Sequence, residues 1–207
     1  DCSGECYGSM AEDLIGQCCD ISYIDACGVC YGADETACCE VGFEDFDGEC
    51  YYQGDLGVLQ SIVSVNASLS GQEPLDIGSQ FWTEGRLIHL DLSLETILLL
   101  PYSIGFLSEL ELLDLSNNLL VLYPESMGNL SQLKNLYLSN TGLNDFPDFI
   151  LPLISSLEVL WLNQNELSSL PEELCLESEG SYISVNNNFI CEEYHYDCIS
   201  SEEWGVQ

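Results

Sequence analysis

Five segments in the second half of the chain repeat one spacing of aliphatic residues, and that spacing admits few folds. Leu87, Leu90, Leu92, Ile97, Leu100 and Pro101 are followed by Leu110, Leu113, Leu115, Leu120, Tyr123 and Pro124. The series continues with Leu133, Leu136, Leu138, Leu143, Phe146 and Pro147, then with Leu157, Leu160, Leu162, Leu167, Leu170 and Pro171. A fifth copy keeps Ile183, Val185, Asn188 and Ile190. Repeats start at 87, 110, 133, 157 and 180, a period of 23 with one extra residue near Leu151-Pro152. Self-similarity at this period predicts stacked coils, here an α/β solenoid. Each LxxLxLxx segment becomes a short parallel strand, with neighbouring strands about 4.8 Å apart. Its leucines point inward and the residues between them form a concave face.

The outward positions then fall into columns. One reads His89, Leu112, Asn135, Val159, Tyr182; the next reads Asp91, Asp114, Tyr137, Trp161, Ser184. Tyr137, Trp161, Val159 and Tyr182 thus come together as an aromatic patch, and rigidly held Trp and Tyr are frequent binding hot spots. Flat aromatic rings also suit sugars. Asp91 beside Asp114 is a like-charge pair, read as solvated repulsion or as a calcium site. A further column, Glu95, Asn118, Thr141, Asn165 and Asn188, is structural. Asn there bonds the turn backbone internally, so Glu95 implies a looser first turn.

The flank departs from the repeat. Leu98-Leu99 and Val121-Leu122 stand where the later repeats carry Asn144-Asp145 and Ser168-Ser169. With Tyr102 and Tyr123 nearby, this stripe predicts an interface, covered by the N-terminal segment or by another subunit.

Acidic residues number 36 against two basic ones, Arg86 and Lys134, for a formal charge of −34 in 207 residues. Nucleic acid and anionic lipid are poor partners for such a chain, because phosphate binding needs clustered cations. Hydrophobic content of 46% and regular periodicity argue against disorder. Salt or divalent cations would ease the self-repulsion. Twelve cysteines imply an oxidising compartment and disulfides. Asp1 in place of Met predicts a processed or trimmed chain, the cysteines predict a secreted one, and no apolar run suffices for a membrane span. Asn66-Ala67-Ser68 and Asn129-Leu130-Ser131 are glycosylation sequons.

Four regions are expected: a disulfide-rich acidic module over 1–52, a solenoid cap over 53–86, repeats over 87–190 and a C-terminal cap over 191–207. The first holds nine cysteines and the strings Asp1-Cys2-Ser3-Gly4-Glu5-Cys6 and Asp25-Ala26-Cys27-Gly28-Val29-Cys30. So short a segment needs disulfides to fold, with Cys2, Cys6, Cys27 and Cys30 among them. It resembles the DCxGxC…CGxC modules of secreted marine microbial proteins. Over residues 54–70, apolar spacing of three and four predicts an amphipathic helix ending near Gly71 and covering the open end of the core. Ser103-Ile104-Gly105 and Met127-Gly128-Asn129-Leu130-Ser131, with the repeats themselves, resemble plant-type and bacterial extracellular leucine-rich repeats. That resemblance implies the fold rather than one function. It also implies a cysteine-paired C-terminal cap, with Cys191–Cys198 the preferred pair. Cys175 is then left to reach the N-terminal module, to stay free, or to bond another molecule.

No catalytic set is visible: there are two histidines, no GxSxG and no glycine-rich phosphate loop. Zinc on the CxxC of Cys27 and Cys30 is disfavoured against disulfides. Glu44, Asp45, Asp47 and Glu49 around Gly48 offer oxygen ligands suited to calcium, or a solvated acidic turn. The leading expectation is a non-enzymatic extracellular structural protein that self-associates into a fibre, sheath or surface assembly. The alternative is an adhesion or recognition module binding a glycan or another protein on its concave face.

Overall fold

The computed structural model describes residues 10–12, 18–20, 39, 42–46, 48–177, 180–190, 196, 198 and 199. Two compact units divide the chain, Asp1–Gln53 and Gly54–Gln207.

In the first unit, strands β1 (Met10–Glu12) and β2 (Cys18–Asp20) pair antiparallel. So do β3 (Phe43–Phe46) and β4 (Glu49–Tyr52), which form a hairpin. Gly48 in its turn has φ 89°, a conformation that costs glycine no Cβ clash, and its N–H donates to Asp45 Oδ1 at 3.3 Å. A Cys39–Cys50 disulfide crosslinks this unit, where apolar periodicity is lacking. Cys2, Cys6, Cys27, Cys30 and Asp47 lie outside the described residues.

The second unit is built on a six-stranded sheet ordered β10-β9-β8-β7-β6-β5. Its strands are β5 (Ser79–Thr83), β6 (Arg86–Asp91), β7 (Leu112–Asp114), β8 (Asn135–Tyr137), β9 (Val159–Trp161) and β10 (Tyr182–Ser184). The five strands from β6 to β10 run parallel, one per repeat. Leu90, Leu113, Leu136, Leu160 and Ile183 register as one row, each fully buried. Burying such a side chain contributes about 1.5–3 kcal/mol, so the row anchors the fold.

Strand β5 carries no repeat signature and pairs antiparallel with β6. Glu84 and Gly85 link the two with φ of 50° and 73°. Two consecutive positive φ values give the turn that matches the twist of a hairpin.

Helix α1 (Gln53–Val65) buries Leu56, Val58, Leu59, Ile62 and Val63. Apart from Leu56, these belong to the same core cluster as Leu87 and Leu90. Asn66, just past the helix, is 4% exposed and fully engaged. Its Nδ2 donates to the carbonyls of Ile62 and Leu99 at 2.9 and 2.8 Å. Its Oδ1 accepts from the N–H groups of Leu98 and Leu99 at 2.9 and 3.1 Å. The folded protein therefore has no room for a glycan at Asn66, and that expected site is corrected. Asn129 is exposed.

The asparagine column links successive repeats. Asn118 donates to Leu92 O and Leu115 O and accepts from Ile97 N; Asn165 accepts from Thr141 N and Leu143 N. Asn188 accepts from Leu167 N. At the first turn, where Glu95 stands, both Leu94 and Thr96 take positive φ (65° and 57°), as Asn140 and Gly142 do in the third (53° and 79°), whereas Asn117, Gln164 and Asn187 do so singly. Between strands the chain runs through 3₁₀ turns at Tyr102–Phe106, Glu125–Asn129 and Asp148–Leu153.

Towards the C-terminus, helix α2 (Glu173–Glu177) presents Cys175, which is bonded to Cys198 with Cα atoms 5.1 Å apart. This corrects the expected Cys191–Cys198 pair and answers where Cys175 goes. Tyr196 tightens the same region, its hydroxyl donating to Leu170 O at 2.6 Å and accepting from Leu170 N at 3.0 Å. Cys191 lies outside the described residues.

Candidate protein-interaction face

Strand alternation presents two columns on the outer face of the sheet. The ladder registers Phe81 with His89, and then His89, Leu112, Asn135, Val159 and Tyr182 in turn. Beside them run Asp91, Asp114, Tyr137, Trp161 and Ser184. Tyr137 and Trp161 meet edge to face with ring centroids 5.0 Å apart, a favoured aromatic geometry. Trp161 is 40% exposed and Tyr182 48%, so both present surface to a ligand. The sheet thus brings Tyr137, Trp161, Val159 and Tyr182 together.

Phe81 was not anticipated as part of this face. It is 55% exposed and lies 5.2 Å from the His89 ring. Only the alternation Ser79-Gln80-Phe81-Trp82-Thr83 hinted at a strand there.

Charge on this face is almost wholly negative. Arg86 is tied to Asp55 (2.9 Å) and Glu109 (3.6 Å), and Lys134 to Glu111 (2.8 Å). Glu111, through its hydrogen bond, raises the pKa of Lys134. Burial, then the charge of Asp114, raises that of Tyr137. Asp91 and Asp114 each accept from a backbone N–H two residues on, Ser93 and Ser116, at 2.8 Å. Each carboxylate thus holds the turn that follows its strand.

In the hairpin turn of the first unit, Glu44 pairs with Tyr51 and Asp45 with Cys50. As strand neighbours, Glu44 and Asp45 project to opposite faces of the hairpin. Among the described residues, no three acidic, histidine or cysteine side chains are grouped to hold a metal.

The flank stripe is exposed as expected: Leu98 50%, Leu99 42%, Val121 75%, Leu122 66%, Tyr102 65%. Leu99 bridges to Leu122 in parallel, so the two pairs are neighbours. Tyr123 does not join them. It stacks on Phe149 at 5.8 Å and 22°, packed against the core. Burial pushes its phenol up to about 12, against a smaller opposing effect of the Thr141 hydroxyl. The reason is register: Tyr123 occupies the repeat position held by the buried Leu100 and Leu170 and by Phe146, which also packs against the core.

Comparison with solved structures agrees with this sheet. The crystal structure of PEPR1–AtPEP1 matches at 27% identity and a TM-score of 0.54, over 66% of this chain. The fold is leucine-rich-repeat-like. The chain spans only 21% of the length of that PEPR1–AtPEP1 chain. The ectodomain of the receptor kinase SOBIR1 from Arabidopsis thaliana is similar over 68% of this chain and 94% of its own, at 21% identity and a TM-score of 0.47. A Leptospira interrogans leucine-rich-repeat protein matches at 26% identity and a TM-score of 0.41, over 60% of this chain and 35% of its own. No protein-family model and no curated protein matches the chain. Among the described residues, no helix is long and apolar enough to cross a membrane.

Proposed function

We propose that this leucine-rich-repeat-like unit is a non-enzymatic recognition module of the extracellular space that binds a protein or peptide on the outer face of its sheet. The observation that carries the reading is the Tyr137–Trp161 edge-to-face pair with Tyr182 one strand on. Aromatic rings held on a short-loop sheet lose little entropy on binding. Asp91, Asp114 and Glu158 border them, so a partner with lysine or arginine is favoured over an acidic one. The likeness to PEPR1–AtPEP1 supports a protein partner. Disulfides at Cys39–Cys50 and Cys175–Cys198 support an oxidising, extracellular setting. A displayed random-peptide library panned on the full chain tests this, with a glycan array in parallel. Binders rich in Lys or Arg that are lost on Trp161→Ala support it. Glycan hits alone, or peptides indifferent to Trp161, overturn it.

A second reading rests on the four exposed aliphatics Leu98, Leu99, Val121 and Leu122. Contiguous apolar surface of this kind marks association sites, and in this reading a second copy covers it. Sedimentation of wild type against Leu98→Ser/Leu122→Ser decides it. A monomer for both proteins removes this reading.

A further inference from the structure

We infer that a second binding site, separate from the sheet face, lies on the flank between the second and third repeats and takes a cationic side chain carried beside an apolar one on a partner protein. A cavity of about 320 Å³ opens there, within the size range of small-ligand pockets. Val121 and Leu122 give it an apolar border, and the stacked rings of Tyr123 and Phe149 form part of its wall. Tyr123 and Phe149 are packed into the core, so this wall is preformed and binding need not order it.

Charge selects the occupant. Glu125, Asp145 and Asp148 line the same cavity, and all three are exposed. None of them enters an ion pair among the described residues, where Arg86 and Lys134 are held by Asp55, Glu109 and Glu111. Those two are the whole lysine and arginine complement of the chain. A second copy therefore brings no uncommitted Lys or Arg to the cavity and adds further like charge. An acidic or phosphorylated partner is repelled as well. What fits is an arginine or lysine whose stem and apolar neighbour lie along Val121, Leu122 and the rings, with the cation among the three carboxylates.

The test uses the full chain, ¹⁵N-labelled, titrated with the capped peptide acetyl-Leu-Arg-Leu-Arg-Leu-amide and its citrulline counterpart, which keeps shape and loses charge. Expected are shifts at the amides of Leu122, Asn144 and Asp145 with the arginine peptide, fading as salt is raised. Asp145→Asn/Asp148→Asn and Val121→Ser/Leu122→Ser, all at exposed positions, should each weaken binding by at least about tenfold. Trp161→Ala should leave the shifts at Leu122, Asn144 and Asp145 unchanged, whatever it does to shifts on the sheet face. Equal binding of the citrulline peptide, shifts confined to the sheet face, or no shift in the groove at millimolar peptide overturns the proposal. So does a change in sedimentation of the Val121→Ser/Leu122→Ser protein without loss of peptide binding, which would assign the groove to a second copy.

Discussion

Asp55 joins the first helix of the repeat unit to its first parallel strand by holding Arg86. Its Oδ2 accepts from Arg86 Nε at 2.9 Å and from the Leu87 backbone N–H at 3.0 Å, with the carboxylate 1% exposed. Arg86→Ala should cost about 3–5 kcal/mol, because it leaves a buried anion without its cation. Urea denaturation measures it. A loss below about 1 kcal/mol would show that the pair is dispensable.

The asparagine column makes a graded prediction. Asn118→Ala strands the buried Ile97 N–H, and Asn165→Ala strands those of Thr141 and Leu143. Each substitution should destabilise by about 1–3 kcal/mol per abandoned group, with Asn165 the costlier. Asn129→Ala, at an exposed position, should be near neutral in the same denaturation series.

Tyr123 predicts alkaline behaviour. Its phenol ionises near 10 when unfolded and near 12 when folded. Between those values the native state holds the proton and the unfolded state releases it. The contribution is therefore complete below pH 10 and lost as pH rises through 12, about 2–3 kcal/mol in all. Spectrophotometric titration of wild type and Tyr123→Phe should show the highest-titrating phenol missing from the variant. Identical curves would mean that Tyr123 is not shielded.

Peptide mapping of the oxidised protein should return Cys175 joined to Cys198 and Cys39 joined to Cys50. Produced in a glycosylating host, folded protein should carry sugar at Asn129 and none at Asn66. Glycan at Asn66 in soluble, cooperatively unfolding material would contradict the four hydrogen bonds placed there.

The repeats were legible because each inward leucine must recur at a fixed spacing to meet its neighbour. The register of Leu90 with Leu113, Leu136 and Leu160, and the outward columns of His89 and Asp91, followed from that spacing alone. Local motifs without periodicity were harder. β5 pairs through the Glu84-Gly85 turn, and two residues with positive φ leave little trace beyond one glycine. Asn66 satisfied a sequon by spelling while serving as a buried bracket for Leu98 and Leu99, a task set by tertiary contact. Tyr123 read as surface because its neighbours Val121 and Leu122 are surface, although its own repeat position points inward. Cysteine pairing was the least readable, since three cysteines near one end permit several pairs and only the placement of α2 selects Cys175 for Cys198.

The most direct test of the central claim is the affinity of a peptide selected on this protein for wild type against Trp161→Ala. Trp161 is partly exposed and packs on Tyr137 without entering the core cluster, so the variant should retain its fold. A loss of at least about thirtyfold is expected, the effect of removing a central aromatic hot spot worth ~2 kcal/mol. Unaltered affinity for the Trp161→Ala protein, with a folded circular dichroism spectrum, would contradict it.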